Sequence, residues 1–213
     1  MSLPSQALME LISLIKDVLL GIATIVTMFV AIYGLRAWKR DLVGKEVYAA
    51  ARVLLKESHL VCQAVRKLRQ PLWSYEKRLF TEEEIKHTTE NERWRISELE
   101  GYKERFGTFS EELKRYESAK LELRILIGSK VYEGFLHFGQ HLTESIDRVN
   151  DYLDLLQDYS KTYLPGSSEI IEAQKELYPS DNLDDKLSQN IADSREKGEV
   201  SLLFHLHRKS IYD

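Results

Sequence analysis

Val18–Leu35, VLLGIATIVTMFVAIYGL, is an unbroken apolar run with no formal charge. At about 1.5 Å of rise per residue it makes a helix about 27 Å long, close to the thickness of a bilayer's hydrocarbon core. Leu11, Leu14 and Ile15 extend the apolar character upstream. A buried helix of a soluble domain ordinarily carries a polar face; here only Thr24 and Thr27 offer one. A cleaved signal peptide needs a basic start and a small-residue cleavage site. This chain has Glu10 and Asp17 against Lys16 before the run, and bulky Tyr33, Leu35 and Trp38 at its end. The reading is one transmembrane helix.

Lys16 is the one Lys or Arg before the run, whereas Arg36, Lys39, Arg40, Lys45, Arg52 and Lys56 follow it. Positive charge favours the cytoplasmic side, so the N-terminus is expected outside and the C-terminal body inside. Tyr33 and Trp38 fall where interfacial aromatics belong. Arg36, Lys39 and Arg40 suit lipid headgroups. The lone cysteine, Cys62, excludes an internal disulfide and agrees with a reducing compartment. The expected location is a bacterial inner membrane, single-pass.

Two lines of residues mark faces of the span. Ala23, Thr27, Ala31 and Gly34 recur at helical spacing, and small residues so spaced let helix backbones approach in lipid. They are the expected oligomerisation face. Ser13, Asp17, Gly21 and Thr24 form a second line. Either Lys16 and Asp17 extend into water at the membrane edge, or in an oligomer this line borders a water-filled path. Residues 1–17, with Leu8, Leu11, Ile12 and Ile15 on one face, are either an early start of the membrane helix or an amphipathic segment in the interface.

The rest reads as helix throughout, so the expected fold is all-α: a transmembrane helix at 18–35, a cytosolic antiparallel bundle over 36–164, and an acidic, partly mobile tail over 165–213. Val47, Ala51, Leu54, Ser58, Val61, Val65 and Leu68 alternate in steps of four and three, the mark of a helix with one buried stripe. Gly44 either separates this helix from the span or lies within one continuous rod. Pro71 ends it. Trp73 and Tyr75, in the connector that follows, are expected to cap the end of the bundle. Thr81 with Glu84 forms a capping box, and Thr88–Glu92 offers a second start.

From there Trp94, Leu99, Tyr102, Phe106, Phe109, Leu113, Tyr116, Leu123 and Ile127 keep helical spacing, with an interruption expected at Gly107–Thr108. Val131, Phe135, Phe138, Leu142, Ile146, Leu153, Leu156 and Tyr159 form another stripe, expected to run to Pro165. Ile170, Ile171 and Leu177 predict a short helix before Pro179. Asp181–Gly198 is expected to be mobile, and the apolar end from Val200 to His207 to dock as a helix or strand.

No arrangement of residues specifies catalysis. The ten glycines are dispersed and make no phosphate loop. His137 and His141 share a helical face at the spacing of a zinc motif, but the glutamate that performs the chemistry is missing. His205 and His207 have no Cys or acidic partner at ligand spacing. Glu82-Glu83-Glu84 suits a helix N-terminus. Cys62 lies on the apolar stripe. The reading is not an enzyme, with no metal and no cofactor. The best candidate ligand site is the basic cluster Arg66, Lys67 and Arg69, with Trp73 and Arg78 beyond the turn. Guanidinium groups beside aromatic faces suit phosphates and bases. Basic residues at a helix C-terminus also complement its dipole.

The run GIATIVTMFVAIYGLRAWKRDLVGKEVYAAARVLLK, continuing to AVRKLRQP, resembles a group of uncharacterised bacterial membrane proteins with one N-terminal span. The segment Ala119-Lys120-Leu121-Glu122-Leu123 is similar to a later helix of that group. The resemblance implies the topology and carries over no functional residue. The layout is also similar, more loosely, to small single-span effectors of anti-phage defence systems.

Two functions follow as expectations. One is an oligomeric membrane protein whose bundle senses a nucleotide or protein signal and acts on the bilayer, as a pore-forming effector would. The other is a passive scaffold that recruits a cytosolic partner. Binding of a nucleic-acid duplex is not expected.

Overall fold

The computed structural model describes residues 3–158, 163–179 and 185–206. Among them there are helices and no strand: α1 (Leu3–Leu68), α2 (Glu82–His87), α3 (Glu90–Ile127), α4 (Lys130–Gly134), α5 (Leu136–Gln157), α6 (Ser168–Leu177) and α7 (Lys186–Leu206). The chain divides into two compact units, residues 1–46 and 47–213, so the boundary falls inside α1. The upstream segment and the helix beyond Gly44 are therefore parts of one helix. The second unit begins at Val47 and contains α6 and α7.

In the first unit every residue from Met9 to Val43 is exposed. By length and composition this run is long and apolar enough to cross a membrane. Thr24 Oγ1 donates to Leu20 O at 2.7 Å and Thr27 Oγ1 to Ala23 O at 2.8 Å. Both hydroxyls are thus satisfied within the helix.

In the second unit α1 buries Val47, Ala51, Leu54, Ser58, Val61, Cys62, Val65 and Leu68. Phe138, Leu142, Ser145, Val149, Tyr152 and Leu156 do the same for α5, with the same alternation of four and three. That alternation is the geometry of helices packed nearly antiparallel. Two pairs of contacts fix the directions. Arg69, just past α1, meets Asp185, just before α7, and His59 of α1 meets Glu199 of α7, so these helices run opposite ways. Arg95 and Tyr116 of α3 meet Leu156 and Phe138 of α5, also antiparallel.

Several details depart from the sequence expectation. α3 passes Gly107 without a break, because no neighbouring atom lies where its side chain would be and one glycine only weakens a helix. The next stripe divides at Phe135, whose φ of −101° and ψ of 4° leave the helix. Its ring fills the space beside Gly198 of α7, and meets Tyr116 at a tilt and Phe138 edge to face, with centroids 6.2 and 6.5 Å apart. α5 ends at Gln157; Tyr159 lies outside the described residues. Most of Asp181–Gly198, expected to be mobile, belongs to α7, which buries Leu187, Ile191, Ser194, Gly198 and Leu202. Its apolar positions are sparse because Ser194 and Gly198 serve as close-packing residues. Residues 181–184 lie outside the described part. Trp73 and Tyr75 do not cap the bundle: both are exposed, and Leu72 is the buried residue of that connector.

A Cβ on Gly198 would lie 2.6 to 2.9 Å from the Phe135 ring. Gly198→Ala should therefore cost about 1–3 kcal/mol by overpacking. Gly107→Ala, in open space within a helix, should add about 0.5–1 kcal/mol. Urea unfolding of both variants in detergent, followed by circular dichroism, measures the contrast.

Candidate functional site

Helix C-termini leave carbonyl oxygens without partners and carry partial negative charge. In this bundle arginines from other helices or turns supply the missing donors. Arg105 of α3 donates to Lys67 O, Gln70 O and Pro71 O at the end of α1. Arg95 of α3 donates to Leu156 O and Asp158 O at the end of α5. Arg69, just past α1, donates to Leu177 O at the end of α6, where Arg148 of α5 also reaches Glu176 O. Arg93 closes the end of α2 through Ile85 O and Thr88 O. Arg69, Arg95 and Arg105 are buried.

The candidate anion cluster is accordingly divided. The Arg69 side chain is 2% exposed; besides Leu177 O it pairs with both oxygens of Asp185, at 3.0 and 3.1 Å, and with Ser188 Oγ at 2.8 Å. It is a packing element, not part of the Arg66–Lys67 surface. Arg66 is exposed; Lys67 lies 3.4 Å from Glu76; Arg78 pairs with Glu84 and Glu100 and stacks on Phe80. Trp73 is exposed beside them. A periodicity argument missed Asp185, 116 residues away in sequence.

A cleft of about 450 Å³ opens where α1, the connector and α3 meet, lined by Lys67, Tyr75, Lys77, Arg78, Glu104 and Arg105 among others. Glu76 sits in its wall, held by Arg105 and by Lys67, and accepts from Trp73 N at 2.9 Å. The hydrogen bond from Arg105 lowers its carboxyl to about 2, against the desolvation that works the other way. Behind this wall Tyr102 and Tyr152 meet edge to face at 5.5 Å. Tyr102 Oη donates to Gln70 O, Tyr152 Oη to Glu98, and Gln174 Nε2 to Tyr152 Oη. Burial raises both phenols well above the ordinary tyrosine range. Glu98 is in turn paired with Lys77 at 3.3 Å. The cleft is polar and its charges are mutually matched, so it can accept hydrogen-bonding groups without demanding a particular sign of charge.

Arg95, Glu98 and Arg105 are site residues that the stripe reading passed over. The signal is a seven-residue repeat: Arg95, Tyr102, Phe109, Tyr116 and Leu123 are all buried. Of the companion positions three residues on, Glu98, Arg105 and Ala119 are buried as well, and Glu112 is half-buried.

The other sequence candidates fall as follows. Ala23, Thr27, Ala31 and Gly34, like Ser13, Asp17, Gly21 and Thr24, are exposed along α1, and no neighbouring atom lies where a side chain on Gly21 or Gly34 would be. Arg36, Lys39 and Arg40 are exposed directly after the apolar run. His137 approaches Gln140 at 3.0 Å and His141 approaches Glu144 at 3.5 Å. His207 lies outside the described residues. Among the described residues no three His, Cys, Asp or Glu side chains converge as a metal site.

The fold and this geometry define an all-helical protein with one helix long and apolar enough to cross a membrane. Comparison with known proteins gives no match to a family model, to a curated protein or to a solved structure.

Proposed function

We propose that this chain is a single-span membrane protein of the bacterial inner membrane. Its bundle lies on the cytoplasmic side and transmits the binding of a partner or ligand to the span. One observation carries the reading: α1 continues unbroken from an entirely exposed apolar run into the buried stripe of the bundle. Self-association through Ala23, Thr27, Ala31 and Gly34 is part of the proposal, because a change in the bundle then alters how spans meet. A pore bordered by Ser13, Asp17, Gly21 and Thr24 has less support, since the Thr24 hydroxyl is satisfied by its own helix.

A second reading, recruitment of a cytosolic protein, is favoured by the exposed Trp73, Tyr75 and Leu79 of the connector, of which Tyr75 lines the cleft, large apolar residues of the kind that contact surfaces use.

Labelling with an impermeant maleimide tests the topology. Cys62 is buried and contributes little background. Ser13→Cys should react in intact spheroplasts, and Leu79→Cys only after lysis. The opposite pattern would overturn the orientation. Crosslinking in the same membranes should trap a dimer or higher species that Ala31→Leu with Gly34→Leu abolishes; a species unaffected by that pair of changes removes the proposed face.

A further inference from the structure

A second pocket, of about 260 Å³, opens where α3, α4 and α5 meet, wholly within the unit that begins at Val47. Lys120 of α3, Tyr132 of α4, Phe135 at the joint, and Leu136, Gly139 and Gln140 of α5 line it. A lysine is seldom buried, because its ammonium gives up water. The Lys120 side chain is nevertheless only 8% exposed. Its Nζ lies 5.0 Å from the centroid of the Tyr116 ring and 4.9 Å from that of Tyr132, and it donates to Glu117 Oε1 at 2.6 Å. An ammonium carries three N–H groups, so this contact leaves donors to spare. Tyr116 is fully buried, and its Oη has no hydrogen-bond partner among the described residues. Burial, with Glu117 and Tyr132 nearby, raises this phenol well above the ordinary tyrosine range, so it keeps a proton to donate. Folded proteins rarely leave such a group unsatisfied, and a bound molecule is one way to satisfy it. On α5, His137 Nδ1 donates to Gln140 Oε1 at 3.0 Å, which leaves the Gln140 amide nitrogen for another acceptor. A Cβ on Gly139 would meet no atom of the described residues within 4 Å, so the chain does not fill this space itself.

We propose that this pocket binds a small carboxylic acid, with the carboxylate on Lys120 Nζ and the apolar body against Phe135 and Leu136. Donors rather than acceptors are the groups left over, and a carboxylate is an acceptor with two oxygens. Charge agrees: Lys120 and Arg124 both lie over the Tyr132 ring, Arg124 at 5.2 Å, and Glu117 is the one carboxylate in the pocket lining. A cationic ligand would meet Lys120 unfavourably, and a wholly apolar one would leave its donors unused. A few converging polar groups beside apolar walls are the usual make-up of a small-molecule site, and this volume suits a molecule smaller than a drug. The proposal concerns residues 47–213 alone and does not depend on the membrane reading.

Fluorine NMR of the full chain in detergent tests it, with para-fluorobenzoate as the probe. The parent should broaden the probe resonance with a dissociation constant on the order of 1 mM, as befits about ten non-hydrogen atoms. The uncharged para-fluorobenzyl alcohol should bind at least about tenfold more weakly, since it lacks the charge-assisted hydrogen bond. Gly139→Leu puts a side chain into the open space and should abolish the broadening. Thr143→Phe, at the exposed rim, is a second blocking change should circular dichroism show that Gly139→Leu loses helix. Lys120→Met keeps the length of the side chain and should weaken binding at least about tenfold. No broadening by the parent would overturn the proposal, as would equal broadening by a folded blocking variant, the behaviour of a probe held by the micelle. Equal affinity for the acid and the alcohol, or for parent and Lys120→Met, would overturn it as well.

Discussion

Arg69→Ala is expected to lower the unfolding free energy by about 3–5 kcal/mol, the range for removing one partner of a buried ion pair. The Arg69 side chain is 2% exposed and that of Asp185 16%. The substitution removes the donors to both Asp185 oxygens, to Ser188 and to Leu177 O together. Asp185 then stays partly desolvated with no counter-charge, and Leu177 O at the end of α6 loses the Arg69 donor. Arg69→Lys keeps the charge but lacks the planar fork that engages both oxygens, so it should recover only part of the loss. Arg66→Ala, three residues earlier and exposed, should stay within about 0.5 kcal/mol of the parent. Urea denaturation in detergent, at matched detergent concentration, gives the comparison. A loss at Arg66 equal to that at Arg69 would contradict the division of the basic cluster. Because Arg69 ties α1 to the start of α7, the variant should also release α7 first, seen as faster amide exchange over Lys186–Leu206.

The second large effect is at Arg105, where one side chain serves three carbonyl oxygens at the end of α1 and the carboxylate of Glu76. Arg105→Leu preserves much of the packing volume and strands those acceptors, at a cost of about 3–5 kcal/mol. The same pair predicts an acid dependence. The hydrogen bond from Arg105 holds Glu76 at about 2, below the ordinary carboxylate value. A depressed folded-state value means that the pair's stabilisation is fully present above the unfolded value. It is lost as pH falls from there toward about 2. The melting temperature should thus decline through that window in the parent. In Glu76→Gln the decline should be shallower, since one of the shifted carboxylates is gone. Asp185 remains to contribute: burial raises it, but hydrogen bonds from Arg69 and Ser188 prevail and hold it low. An identical slope in parent and Glu76→Gln would contradict the assignment.

The long stripes of α1 and α5 could be read directly because nearly every buried position there is apolar or small, Glu57 of α1 being the charged exception, so periodicity and burial largely coincide. The capping boxes Thr81–Glu84 and Thr89–Glu92 form as their spacing predicts, since both halves of each device are local. α3 was harder. Its inward positions include Arg95, Glu98 and Arg105, and a hydrophobicity pattern counts those as surface. Their partners are backbone carbonyls at the ends of other helices, and no local pattern names such a partner. α7 was hidden for a related reason, because Ser194 and Gly198 occupy core positions by being small. The basic cluster illustrates the same limit at the site. Arg66, Lys67 and Arg69 are neighbours in sequence, but Asp185 draws Arg69 into the interior while the other two stay near the surface.

The central claim is that α1 is at once a membrane helix and a bundle helix. Density-gradient flotation of carbonate-washed membranes containing the full chain tests it most directly. The protein is predicted to float with lipid, while Ile25→Arg with Phe29→Arg, which places two charges in the middle of the run at about 2.5–3.5 kcal/mol each, shifts it to the soluble fractions. Recovery of the parent protein in the soluble fractions, folded and free of lipid, would contradict the account.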